Sequence, residues 1–309
     1  MKTWNFLPEL AICATMSAGK STFLNALLGV NYIPSSNLAC TAKISSFLNC
    51  NELEEGFILG ATRMKDGRII EDVATSDALS SWNSDEDVEQ IYLVGSFQNI
   101  SIPLVIHDTP GTNSAINPIH RDMTQNFLLD NPPFLLAFVI NAENNGSNDE
   151  TYFLSWLKKN LVDKHGTEVI FILNKMDSPD FEREDFLGFM QDTRADLIRL
   201  GFKRPIIFPV SADAALLFRM LLNQQEFTDF ESIRLASYYS YFLDGNFSLA
   251  EGNLQPEENF SADVINFCGE DYRIENLLKA IHRTGICNIE EYITEKFKIR
   301  HLKFFPDIP

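Results

Sequence analysis

Residues 11–29 read AICATMSAGKSTFLNALLG. Small and apolar residues run into Gly19-Lys20-Ser21-Thr22, and a helical pattern follows without a break. A strand, a turn that aims backbone N–H groups inward, and a helix N-terminus whose dipole favours anions together make a phosphate-binding loop. In such a loop Ser17, Ala18, Gly19, Lys20, Ser21 and Thr22 line the phosphates. Lys20 reaches the β- and γ-phosphates, and the Ser21 hydroxyl serves Mg2+. Ala14 breaks the strict pattern where its first glycine should stand, although alanine adds no bulk beyond Cβ.

Three stretches further along complete the reading. His107-Asp108-Thr109-Pro110-Gly111 follows an apolar run. Asp108 is therefore expected at a strand's C-terminal end, where it holds a Mg2+-bound water, and the Gly111 N–H faces the γ-phosphate. Asn174-Lys175-Met176-Asp177 follows EVIFIL. The Asp177 carboxylate can accept from both the N1–H and the exocyclic amine of guanine, a pair that adenine does not offer. The Lys175 stem can lie along the base. Ser211-Ala212 follows IIFPV, where a backbone N–H can meet the guanine carbonyl. Four motifs in this order, each just after a strand, point to GTP and GDP with Mg2+.

Strand-like runs alternate with helical patterns along most of the chain, which predicts βαβ units and a mostly parallel sheet. The buried strand candidates are 10–14, 104–108, 134–141, 168–174 and 205–210, apolar on both faces. More alternating runs at 44–49, 57–64 and 91–97 are expected on the outer side of the sheet. Helices are expected over 20–28, 119–129, 149–164, 181–200 and 212–222. The alternation stops near residue 225. Beyond it come helical segments at 238–242 and 274–281, a looser acidic stretch at 244–261, and Ile286, Ile289, Ile293 and Phe297 at helical spacing. The expected fold is α/β: a three-layer phosphate-loop GTPase domain over residues 1–225. Residues 226–309 are expected to form a short helical extension packed on it, where a stalk would begin.

The formal charge of −18 opposes nucleic-acid backbones and anionic lipid headgroups, and the densest basic stretch, Lys296–His301, is short. No nucleic-acid partner is expected. No apolar run reaches the ~18–20 residues that span a bilayer. Five cysteines without a CxxC pair fit reduced thiols in a cytosolic protein rather than a disulfide framework or a zinc site.

With these residues in view, the chain resembles the dynamin superfamily, most closely its bacterial dynamin-like members. Ser17-Ala18-Gly19-Lys20-Ser21 has the family's SxGKS form. Asn25-Ala26-Leu27-Leu28-Gly29, Ile33-Pro34-Ser35 and Cys40-Thr41-Ala42 are similar to its NALLG…LP…TA passage. Gly146-Ser147-Asn148-Asp149-Glu150 looks like its GTNDE turn, and Gly285-Ile286 with Ile289-Glu290-Glu291-Tyr292-Ile293 is family-like. The resemblance implies that Thr41 is the switch I threonine, closing over the γ-phosphate through Mg2+. It makes Ser17 the loop serine that assists catalysis. It also places Asp180 where eukaryotic dynamins have an aspartate reaching a partner subunit. Met16 stands where many dynamins have a water-orienting glutamine. The implied catalytic set is Ser17, Lys20, Thr41 and Gly111, and the implied metal set is Ser21, Thr41 and, through water, Asp108.

The resemblance further implies a homodimer across the nucleotide face. Any membrane remodelling would run through a stalk and lipid-binding tip outside this sequence, with the longer protein peripheral to a membrane. The N-terminal helix that precedes most dynamin GTPase domains is also missing from it. Two other readings stand beside this one: a small-GTPase-like switch acting on a protein partner, and a nucleotide-binding module with little catalysis. His107 reads as a packing residue at a strand end, Arg63 and Arg121 as surface residues, and Asp85–Asp87 and 182–185 as solvated helix starts.

Overall fold

The computed structural model describes residues 7–15, 17–33, 43–50, 59–97, 99–111, 118–177, 186–243, 247–250 and 263–304. At its centre are β1 (Glu9–Ala14), β6 (Val105–Asp108), β7 (Leu135–Asn141), β8 (Glu168–Asn174) and β9 (Ile206–Val210). They lie side by side in the order β6-β1-β7-β8-β9, every pair parallel. Leu10 to Ala14, and Leu135 to Val139, are entirely shielded from solvent, as strands covered on both faces require. β2 (Ile44–Asn49), β3 (Leu59–Met64), β4 (Ile69–Val73) and β5 (Val88–Gly95) extend the sheet beyond β6 in the order β4-β3-β5-β2. This flank contains the antiparallel pairs, β2 with β6 and β3 with β4 and β5.

The central strands and the outer flank lie where the sequence predicts them, with small shifts at their ends. Helix α1 (Lys20–Leu28) follows β1 directly, and Gly29 closes it in the left-handed conformation. Helix α2 (Ser76–Ser84), capped by the Thr75 hydroxyl, was not expected, nor was the exposed edge strand β4. Asp85–Asp87 correct the sequence reading. Asp85 caps the C-terminus of α2, and the trio leads into β5 instead of starting a helix. Helix α3 (Pro118–Asp130) comes next, and α4 (Asn148–Leu157) then runs through a π-helical stretch, Lys158–Val162, into the short α5 (Asp163–His165). Helices α6 (Phe186–Arg199) and α7 (Ala212–Leu222) flank β9 in the chain.

Neighbouring residues of β6 show how the layers are arranged. The His107 ring meets Phe127 of α3, edge to face at 5.1 Å, and its Nδ1 lies 2.9 Å from the Ser46 hydroxyl. Asp108 pairs instead with Lys20 of α1. Successive strand residues point to opposite faces, so α1 and α3 cover opposite sides of the sheet. His107 is thus a packing residue, as the sequence suggests.

After residue 225 come α8 (Asp229–Leu243), a hairpin of β10 (Val264–Phe267) and β11 (Glu270–Arg273), α9 (Ile274–Arg283) and α10 (Ile286–Phe304). The hairpin departs from the all-helical expectation. Its four-residue strands are too short to show alternation, and Cys268-Gly269 supply the two positive-φ residues of its turn. Leu277, Ile281, Ile286, Ile289 and Phe297 join the same apolar core as β1 and β7. The Arg219 guanidinium of α7 and the Glu290 carboxylate of α10, each about 3% exposed, form a two-pronged ion pair at 2.7 and 2.8 Å. The same guanidinium donates to the Ala26 carbonyl of α1.

Candidate functional site

Because β6, β1, β7, β8 and β9 run parallel, the loops after their C-terminal ends share one edge of the sheet, the usual ligand edge of such folds. All four motifs sit there. Gly19 adopts φ 83°, ψ 27° and caps α1 without any side-chain hydrogen bond to the helix N–H groups. A Cβ on Gly19 would collide with the Asn174 carboxamide, so the loop needs glycine here both for its backbone and for its space. Ser17 also has positive φ and is exposed, Ala18 is buried, and Ser21 and Thr22 are half-buried in the first turn of α1.

Lys20 and Asp108 are 8% and 1% exposed and form an ion pair across the loop. Thr109 fixes the following turn: its hydroxyl donates to the Ile12 carbonyl at 3.0 Å and touches the Cys13 thiol at 3.4 Å. Burial pushes that thiol up to about 12, so Cys13 is an inert core residue. The Thr124 hydroxyl of α3 holds the Pro110 carbonyl at 3.0 Å, immediately before Gly111.

The buried Asn174 amide joins the two halves of the edge. It donates to the Ala18 carbonyl at 2.9 Å and accepts from the Ala212 N–H at 3.1 Å. Lys175 has φ 65°, and its ammonium meets Glu143 at 3.0 Å. Met176 is buried, and its N–H bonds Val210 at 3.2 Å. Asp177 follows, half-buried. Ser211 caps α7 with its hydroxyl on the Ala214 N–H, and the Ser211 N–H donates to Thr284 at 3.0 Å. The structure therefore brings together Ser17, Ala18, Gly19, Lys20, Ser21, Thr22, Asp108, Gly111, Asn174, Lys175, Asp177, Ser211 and Ala212. Met16, Thr41 and Asp180 lie outside the described residues, as do 112–117.

Sequence reasoning missed three residues around Asp177. The Tyr238 hydroxyl of α8 donates to Asp213 at 3.0 Å. Arg234, one turn earlier, pairs with Asp213. Burial, then the two carboxylates, push the Tyr238 phenol well above its ordinary value. Burial also raises Asp213, against the opposing pull of Arg234. Asp213 follows Ser211-Ala212 directly, which was an available signal. Nothing local marks Arg234 and Tyr238, because their partners lie on other elements.

Arg63 pairs with Glu89 at 2.9 Å, and Arg121 lies half-buried over Tyr152, so both stay surface residues. Among the described residues, no cluster of three or more metal-ligating side chains occurs, and no helix is long and apolar enough to cross a membrane.

Comparison with known proteins gives a consistent picture. The profile of the dynamin family matches residues 10–176, more than half of the chain. A protein of Caldicellulosiruptor sp. (strain Rt8B.4), described as an uncharacterised protein in the xynA 3′ region, is 26% identical over 217 residues, 70% of this chain and 52% of that protein. A probable transmembrane FZO-like GTPase of the Arabidopsis thaliana chloroplast is 29% identical over 213 residues, 67% of this chain and 19% of its own length. Among solved structures, one of an oligomerised bacterial dynamin pair superposes with a TM-score of 0.50 at 15% identity, covering 96% of this chain and 43% of that one. The chain thus spans about half the length, or less, of the relatives it matches.

Proposed function

Since the chain belongs to the dynamin family and is a GTPase, we propose that it binds GTP and GDP along this sheet edge and hydrolyses GTP with Mg2+ in nucleotide-dependent dimers. The observation that carries the reading is the Asn174 amide. By joining Ala18 to Ala212, it sets the phosphate loop and the base loop at a fixed separation, as a ligand with phosphates at one end and a base at the other requires.

The residues present suit the ligand. The uncapped start of α1 and the glycine-only turn at Gly19 form an anion cradle, and Lys20 adds the charge. Asp108, Ser21 and, from outside the described residues, Thr41 offer the hard oxygen donors that Mg2+ takes. When bound, Mg2+ neutralises the charge that develops between the β- and γ-phosphates. Lys20 shares its ammonium between Asp108 and the phosphates. Gly111 and Ser17 present hydrogen-bond donors to the γ-phosphate and its neighbourhood. Asp177 reads guanine, with Lys175 along the base and the Ala212 N–H shared between Asn174 and the guanine carbonyl.

Dimerisation would supply what a loop carrying Met16 lacks. The pairing surface would be built from Thr41, residues 111–117 and 178–180, with Asp180 reaching across. The oligomerised state of the bacterial dynamin pair supports this reading. Any membrane remodelling would run through parts outside residues 1–309.

Light scattering with GDP–fluoroaluminate, beside turnover measured over a wide range of protein concentration, tests the proposal. A dimer with the transition-state mimic and a monomer with GDP are expected, with specific activity rising with concentration. A chain that stays monomeric at constant specific activity would instead be a small-GTPase-like switch.

A further inference from the structure

Helix α3 reaches across to the loop that follows β6. Thr124, in its second turn, is fully buried, and its hydroxyl donates to the Pro110 carbonyl at 3.0 Å. A threonine inside a helix ordinarily returns that proton to the carbonyl one turn back. Here it goes to a residue 14 positions earlier in the chain. Apolar packing fixes α3 itself: Leu128, four residues on, is fully buried, and Phe127 meets the His107 ring. The hydroxyl is thus held in place by a packed element and imposes its position on the loop.

The Pro110 carbonyl and the Gly111 N–H belong to one peptide unit. Such a unit is planar, and in the trans form its C=O and N–H point in opposite directions. None of the described peptide bonds is cis. Holding the carbonyl toward α3 therefore turns the Gly111 N–H away from α3. Because α1 and α3 cover opposite sides of the sheet, this N–H faces the side on which Lys20 meets Asp108. One residue earlier, Thr109 is tied to the Ile12 carbonyl of β1, by its N–H at 3.4 Å and its hydroxyl at 3.0 Å. Anchors from β1 and α3 hold Thr109 and Pro110, and together they aim Gly111. Among the described residues the Gly111 N–H meets no acceptor.

We propose that Thr124 is a positioning residue for the γ-phosphate: by holding the Pro110 carbonyl, its hydroxyl orients the Gly111 N–H. The inference rests on the assignment of that N–H to the γ-phosphate. It makes the distinction between GTP and GDP depend on a side chain that touches neither nucleotide.

The test compares GDP with the non-hydrolysable analogue GMPPNP, both with Mg2+, by calorimetry on the 309-residue chain, with GTP turnover alongside. Thr124→Val removes the hydroxyl and keeps the shape. It should weaken GMPPNP binding roughly five- to tenfold, the worth of about one hydrogen bond, while GDP affinity stays within about twofold. GDP has no γ-phosphate to lose. Turnover at saturating GTP should fall by at least a similar factor, since the same donor faces the charge of the transferring phosphoryl group. Thr124→Ser retains the hydroxyl and should restore both the GMPPNP preference and the turnover.

An equal loss for both nucleotides would make Thr124 a packing residue, and unchanged affinities for both would leave it no role; either result overturns the proposal. If Thr124→Val does not fold, Thr124→Ala removes the same hydroxyl and is read in the same way. Failure of both to fold would also assign the residue to packing. Gly111→Pro deletes the N–H itself. If that variant keeps the full GMPPNP preference, the assignment of Gly111 fails instead, and the two failures are told apart by it.

Discussion

Glu150 is a carboxyl group that burial has made costly. It is 3% exposed, one oxygen accepts the Gly146 N–H at 3.2 Å, and the other has no hydrogen-bond partner. Burial pushes it up to about 7, only partly opposed by Gly146. The folded chain therefore holds this proton more tightly than the unfolded chain, whose ordinary value is 4.5. Stability from this group is greatest in acid and falls as pH rises through that window, by ~3 kcal/mol once pH exceeds the folded value. Glu150→Gln keeps the acceptor and removes the charge. It should raise the melting temperature relative to the parent at pH 8 and change it little at pH 5. An equal shift at both pH values would exclude deprotonation as the cost. Lys20 works in the opposite sense, because it compensates the buried Asp108. Lys20→Ala should abolish GDP binding and also destabilise the nucleotide-free chain by about 3–5 kcal/mol, as for a broken buried pair. Calorimetry without nucleotide separates the two effects.

At the scale of elements, the turn between α9 and α10 supports the base loop from behind. Gly285 has φ 84°, and a Cβ there would strike the Pro209 carbonyl of β9. Its neighbour Thr284 accepts the Ser211 N–H that opens α7. Gly285→Ala should destabilise by about 2 kcal/mol or more, from left-handed strain plus the collision. It should also weaken GDP binding, because the turn must move away from Ser211. Denaturant unfolding and calorimetry check both effects, and unchanged stability would mean that the turn yields without cost. Asn25 does similar work on the other side of the site. Its carboxamide donates to the Ile33 carbonyl at 2.8 Å and accepts the Ile33 N–H at 2.7 Å, fixing the path of the chain as it leaves α1.

Across the whole molecule, the region after residue 225 shares the core with the sheet instead of hanging from it. Arg219 and Glu290 are the polar centre of that contact, tying α7, α10 and α1 together. Glu290→Ala should cost about 3–5 kcal/mol by stranding a buried guanidinium. Arg219→Met with Glu290→Leu should recover most of this loss, since paired apolar replacements leave no charge behind. If the double variant is as unstable as the single one, the Ala26 contact rather than the ion pair carries the stability. The charge of −18 acts at the same scale: it opposes approach to anionic vesicles for the chain as a whole.

The sequence by itself determined the parallel centre of the sheet and the order of the motifs along its edge. Fully buried strands leave unbroken apolar runs such as EVIFIL, and a phosphate loop needs glycine and lysine at fixed spacing, so both are written locally. The exposed β4, the four-residue strands of the β10–β11 hairpin and the π-helical stretch after α4 left no such trace. Short or solvated segments have little periodicity, and pairing with neighbours decides their form. Only the tertiary structure joined Asn174 to both Ala18 and Ala212, Arg219 to Glu290, and Tyr238 to Asp213. These partners lie on different elements, and a hydrogen bond or ion pair between them exists only once the packed apolar core has fixed where each element lies.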